Sequence, residues 1–171
     1  MRHPPIPISQ KMINKLRNKF KQLLGSESQW GHEDTGPHQM LNDELVSSLL
    51  SDFSRYVVEG NMPALQDLFS PDVSAREVNI THGLKTEQKL DRSSFLGRIA
   101  RTLDYRGTYN TYDISIEKIN ISGPTKSIAD CKVEFEYTVE NKTVTTKCHE
   151  QFTVEIRNGH PRITEFLIET T

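Results

Sequence analysis

Apolar residues in this chain recur first at helical spacing and then, from about residue 108, at strand spacing. Between residues 9 and 24, Met12, Ile13, Leu16, Phe20, Leu23 and Leu24 form one stripe with Lys and Arg around it, which predicts an amphipathic helix stopped at Gly25. Residues 26–37 string together Gly, Ser, Glu, Asp, His and Pro and read as a linker. Leu41, Leu45, Val46, Leu49, Leu50, Phe53, Tyr56 and Val57 then predict a long helix over about 38–59, ended by Gly60. Asn61 and Pro63 open a short helix carrying Ala64, Leu65, Leu68 and Phe69, with Ser70-Pro71-Asp72 closing it.

A strand is expected near 76–82, with Val78, Ile80 and His82 on one face and Gly83 breaking it. Another helix, about 91–104, turns Phe95, Leu96, Ile99 and Leu103 inward. Period-two patterning then predicts strands at 108–121, 128–140, 143–157 and 162–169. That order implies an α+β domain, an antiparallel sheet covered on one face by about three helices, with the extra N-terminal amphipathic helix ahead of it. The expected organisation is 1–37 as basic helix and linker and 38–171 as the folded domain.

One hairpin can be put in register. A turn at Asn141-Lys142 pairs Phe135 with Cys148, Val133 with Glu150 and Cys131 with Phe152 on an apolar face. The opposite face then holds Glu136 against Lys147 and Glu134 against His149. In this register Cys131 and Cys148 are not partners, so they read as small hydrophobes and not as a disulfide. Glu150 is the one carboxylate on the apolar face.

Charge changes the picture at one end. The formal net charge is −2, yet residues 1–25 carry Arg2, Lys11, Lys15, Arg17, Lys19 and Lys21 and no acid. The helix 9–24 therefore has three readings: an anionic membrane surface, a partner protein, or its own domain. Nucleic acid is not expected, since the patch is short and offers only Phe20 for stacking. No run of about 18 apolar residues suggests a membrane span, and no apolar signal segment precedes the basic helix. A soluble, cytoplasmic, reducing setting is the expectation, which makes the sequons at Asn79, Asn120 and Asn141 incidental.

Two local patterns carry a resemblance. The run Val58-Glu59-Gly60-Asn61-Met62-Pro63-Ala64-Leu65-Gln66-Asp67-Leu68-Phe69-Ser70-Pro71-Asp72-Val73 resembles the early helical turn of the nuclear transport factor 2-like superfamily, which includes SnoaL-like cyclases and ketosteroid isomerases. Thr81-His82-Gly83 stands where that group has a strand followed by Gly, and Asn158-Gly159-His160-Pro161-Arg162-Ile163 is similar to its closing turn and last strand. The resemblance covers about 38–171. It implies a cone-shaped fold whose curved sheet and helices enclose a pocket, often in a homodimer. The fold hosts unrelated activities, and no Tyr/Asp constellation of ketosteroid isomerase is matched, so function must come from the pocket.

Glu150 and His82, polar groups that alternation sets among apolar ones, are the candidate catalytic pair. A buried carboxylate has a raised pKa suited to taking a proton from carbon, and an imidazole can assist. Tyr112 and Tyr137 could donate to a developing oxyanion, with Phe135 and Phe152 completing a ligand-binding wall. The plainer reading is Glu150 in water at a sheet edge and His82 capping a strand. Glu165 is a weaker candidate, since both faces of its strand are apolar. His32, Glu33, Asp34 and His38 lack metal-ligand spacing, and no phosphate loop, nucleophile elbow or Cys-x-x-Cys occurs, so neither metal nor cofactor is expected.

Two functions remain. One is a pocket for a small, largely apolar molecule, with cofactor-independent proton transfer of the isomerase, dehydratase or cyclase type. The other is a non-catalytic interaction module docking through its sheet and tethered by residues 9–24.

Overall fold

The computed structural model describes residues 40–106 and 109–170, without the side chains of residues 104–106. The expected helix 9–24, the linker and the His32–His38 cluster lie outside the described residues. The elements are α1 (Asp43–Glu59), α2 (Met62–Asp67), β1 (Phe69–Thr81), β2 (Leu84–Leu90), α3 (Arg92–Arg106), β3 (Thr111–Ile121), β4 (Lys126–Val139), β5 (Lys142–Arg157) and β6 (His160–Thr170). The strands form one six-stranded sheet in the order β2-β1-β6-β5-β4-β3. Neighbours are antiparallel except β1 and β6, which run parallel. The sheet is therefore mixed, because the chain leaves β1–β2 for α3 and returns to β1 only with its last strand.

Local chemistry explains the helices. Asn42 Oδ1 accepts from the Leu45 amide at 2.8 Å and caps α1, which ends where Gly60 takes φ 64°. Asn61 caps α2, and Asp91 caps α3 by accepting from the Ser94 amide at 2.8 Å. Phe53 of α1 sits at the centre of the core, with ring centroids 5.3 Å from Phe152, 5.9 Å from Phe166 and Tyr112, and 6.0 Å from Phe69.

Four sequence expectations are corrected. Ser70-Pro71-Asp72 does not end a helix before a loop. It lies inside β1, in the irregularity between the Phe69–Ile163 and Ser74–Glu165 pairings, a place where proline costs no ladder bond. β2 was not foreseen, since every residue but Leu90 is exposed on this edge strand and no apolar period marks it. His82 does not continue the strand. With φ 51° beside Gly83 at 77°, it makes the two-residue turn of the β1–β2 hairpin and is exposed.

The fourth correction concerns the β4–β5 turn. It is Glu140-Asn141, both at positive φ (49° and 63°), so Val139 pairs with Lys142. Cys131 then faces Glu150, Val133 faces Cys148 and Ala129 faces Phe152. The slip is two residues, so every side chain keeps its face while each gains a different partner. Glu134 now faces Lys147, and their side chains pair at 2.8 Å. With the Lys132–Glu117 ion pair and the Gln151–Asp130 hydrogen bond at 2.7 Å, they cover the outer face of β3–β5 with partnered polar groups.

Candidate functional site

β3, β4 and β5 lie side by side, so Tyr112 of β3 and Glu150 of β5 both project to the helix-covered face with β4 between them. Tyr112 Oη donates to Glu150 Oε1 at 2.5 Å across that intervening strand. Cys148 Sγ lies 3.7 Å from the same oxygen, and Oε2 has no hydrogen-bond partner among the described residues. Glu150 is 1% exposed.

Burial without a cation is the dominant force on this group. It pushes the Glu150 carboxyl up to about 7, against the lowering pull of the Tyr112 and Cys148 hydrogen bonds. Tyr112 is driven well above the usual phenol range by its own burial and then by the neighbouring carboxylate. Cys131 and Cys148 are each pushed up to about 12, by burial first and the Glu150 charge second. Both are free thiols. The cluster thus holds one group that titrates near neutrality among groups that do not.

Beside it lies a cavity of about 130 Å³, walled by Phe53, Phe95, Ile99, Tyr109, Tyr112 and Phe166. That is close to the size of an apolar hole that admits one benzene ring. The wall also includes Thr102 and two charged residues, Glu77 of β1 and Arg98 of α3, paired at 2.5 Å. Their side chains are 17% and 43% exposed, so the ion pair marks where the cavity meets solvent.

The expected site residues separate. Tyr112 belongs to both the cavity wall and the Glu150 cluster. Phe135 stacks on Tyr112 at 5.5 Å and 13°, and Tyr137 stacks on Phe135 at 6.1 Å; neither lines the cavity, but both pack edge-on against the wall residue Tyr109. Phe152 is fully buried against Phe53 and Phe166, behind the wall. His82, at its exposed hairpin tip, is in neither the wall nor the hydrogen-bonded cluster, because the strand ends one residue before it. Glu165 is exposed and accepts from Thr153 Oγ1 at 3.3 Å. Among the described residues no group of three acids, histidines or cysteines could hold a metal.

Sequence reasoning missed Arg98, Glu77 and Tyr109. Arg98 stands three residues after Phe95 on the same helix, a spacing that puts both on one face. Glu77 was hidden because β1 is apolar on both sides: Val78 is buried, yet the cavity side is that of Ala75 and Glu77, opposite Phe166 and Ile168.

No protein-family model and no curated protein matches this sequence. Solved structures do match. A nuclear transport factor 2-like protein with a cystatin-like fold from Novosphingobium aromaticivorans is 13% identical, covers 97% of this chain and 92% of its own, and superposes with a TM-score of 0.57. A provisionally assigned scytalone dehydratase from the same organism is 14% identical over 75% of this chain and 83% of its own, with a TM-score of 0.61. The beta subunit of a provisionally assigned aromatic-ring-hydroxylating dioxygenase, again from that organism, is 12% identical over 75% and 89%, with a TM-score of 0.59. At these identities the likeness speaks for the fold. Six strands in a mixed sheet, packed with helices around Phe53, give this chain the cystatin-like fold of the nuclear transport factor 2-like superfamily.

Proposed function

We propose that the described domain binds a small, largely apolar, single-ring molecule in the cavity beside Tyr112 and moves a proton to or from it without a cofactor. The observation that carries this reading is the Tyr112–Glu150 hydrogen bond at 2.5 Å, made by a residue of the cavity wall to a buried carboxyl that titrates near 7. Glu150 does not line the cavity, so it acts through Tyr112. The phenol is the group that meets the ligand.

The chemistry follows from the pair's two protonation states. With Glu150 ionised, Tyr112 gives its hydrogen to Oε1 and offers an oxygen lone pair to the ligand. A ligand proton passed to that oxygen while the phenol proton passes to Glu150 leaves Tyr112 unchanged and the carboxyl neutral. With Glu150 protonated, the reverse shift lets Tyr112 donate to a ligand oxygen as charge develops there. The similar structures include one named as a dehydratase, which is consistent with proton transfer on this fold. The rival reading, docking through the sheet, is disfavoured by the partnered polar groups on its outer face.

The test is hydrogen–deuterium exchange at the α-carbon of cyclohexanone, followed by NMR with full-length protein. The reading expects catalysed exchange in the wild type, its loss in Tyr112→Phe and Glu150→Gln, and loss of binding in Ile99→Trp, which fills the cavity. Binding that survives Ile99→Trp places the ligand elsewhere; exchange indifferent to Tyr112→Phe and Glu150→Gln removes the proton-transfer role.

A further inference from the structure

The Arg98 guanidinium makes both of its polar contacts with the described residues through a single nitrogen. Nη1 lies 2.5 Å from Glu77 Oε2 and 3.2 Å from Gln88 Oε1. Nε and Nη2, the donors of the guanidinium's second edge, have no partner among the described residues. Two donors set side by side in a plane are what a carboxylate takes in a bidentate pair. Arg98 lines the cavity and is half-exposed, while the rest of the wall is mostly apolar.

Polar groups sit on a mostly apolar chamber that also carries Thr102, whose hydroxyl donates to the Arg98 carbonyl, and Tyr109. Two of them matter most here: Tyr112, tied to Glu150, and Arg98 at the opening. Glu77 is already matched by Arg98, so the pair is neutral as a whole and presents guanidinium N–H donors, not an unpaired acid. An ammonium ligand would meet Arg98 beside Glu77, the one carboxylate among the described residues of the wall. A carboxylate ligand would meet free N–H groups.

We infer that the ligand of this cavity carries a carboxylate, seated on Arg98 at the opening, on a single-ring body that reaches inward toward Tyr112. This deepens the preceding proposal and rests on the cavity being a ligand site. The chamber volume of about 130 Å³ limits the body to one ring, and the aromatic walls favour a flat one. The reaction that supplies such a ligand must leave an acid group on a ring, and proton transfer at Tyr112 then acts on the part of the ring far from that group.

The experiment compares three probes that share a ring and differ in head group: benzoate, benzyl alcohol and benzylamine. Each is titrated into full-length protein by calorimetry, with thermal shift alongside. The inference expects benzoate to bind at least about tenfold tighter than benzyl alcohol, as charge-assisted bonds do, and the advantage to shrink with added salt. Arg98→Gln should remove that advantage, bringing benzoate no tighter than benzyl alcohol. Glu77→Gln, which keeps Arg98 and removes the negative charge that competes with the ligand, should strengthen benzoate; it keeps the test open should Arg98→Gln fail to fold. Benzyl alcohol binding as well as benzoate, or benzylamine binding best, overturns the carboxylate and leaves the cavity standing. Binding of none at millimolar concentration overturns both.

Discussion

Tyr112 and Glu150 sit on strands that are not neighbours, yet their side chains meet at 2.5 Å over the intervening strand β4. Tyr112 is paired with Phe135 and Glu150 with Cys131, so the two side chains reach toward each other along β4 as well as across it. The bond is thus a product of sheet register, and it gives the buried carboxylate its principal donor. Removing the phenol oxygen should be felt mainly when the carboxyl is charged. Tyr112→Phe is expected to lower stability by about 1–3 kcal/mol at pH 8, the cost of leaving a buried charged group short of a partner, and by less at pH 5. Urea unfolding at the two pH values checks this.

The sign of the wider pH dependence follows from the raised Glu150 pKa. Its carboxyl is at about 7 in the folded protein against 4.5 for the unperturbed group. Between those values the folded state holds more protons than the unfolded one, so the contribution is fully present below pH 4.5 and is lost as pH rises through 7. The loss is about 3 kcal/mol for a shift of this size. Glu150→Gln cannot titrate, so its stability should be flat across that window apart from other groups. It should equal the wild type near pH 5 and exceed it at pH 8, as unfolding curves taken at half-unit pH intervals will show.

Cys148 reports on the same carboxylate independently. Its thiol is held up at about 12 by burial and by Glu150, so almost no thiolate exists at neutral pH and alkylation of the folded protein should be slow. Glu150→Gln removes the charge and keeps the burial. Iodoacetamide labelling of Cys148, read by mass spectrometry, is expected to be faster in that variant at pH 8. An unchanged rate in a folded variant means that the thiol does not feel Glu150.

The β4–β5 turn can be strengthened without touching the site. Glu140 and Asn141 both hold positive φ, a cost for Glu and less for Asn. Replacing the pair with Asn-Gly should raise stability by about 1 kcal/mol in thermal unfolding. The same substitution tests the register, since it helps only if these two residues, and not Asn141-Lys142, make the turn.

Much of the fold was legible because its signals are local. Asn61 and Pro63 announced α2, Gly60 ended α1, and alternation separated the faces of β4 and β5. Glu150 and Tyr112 were legible as polar groups on an apolar face by parity alone, and parity survives a two-residue slip. Partner identity did not survive it: whether Glu150 meets Val133 or Cys131 depends on which two residues turn, and Asn141 suits either turn. The opening of the cavity was illegible for a different reason. β1 buries Val78 on one face and Ala75 on the other, so alternation could not say which side Glu77 joins. Arg98 acquires meaning only once α3 is laid against β1. His82 shows the opposite failure, an alternation followed one residue past the point where backbone geometry ends the strand.

The most direct test of the account is a carbon-detected NMR titration of the Glu150 side-chain carboxyl in full-length protein, assigned by its absence in Glu150→Gln. The account predicts an apparent pKa near 7 that moves higher in Tyr112→Phe, where the donor holding the charged form is gone. A titration near 4.5, unmoved by that variant, would contradict it: the carboxyl would then be in water, and the cavity would have no proton to exchange.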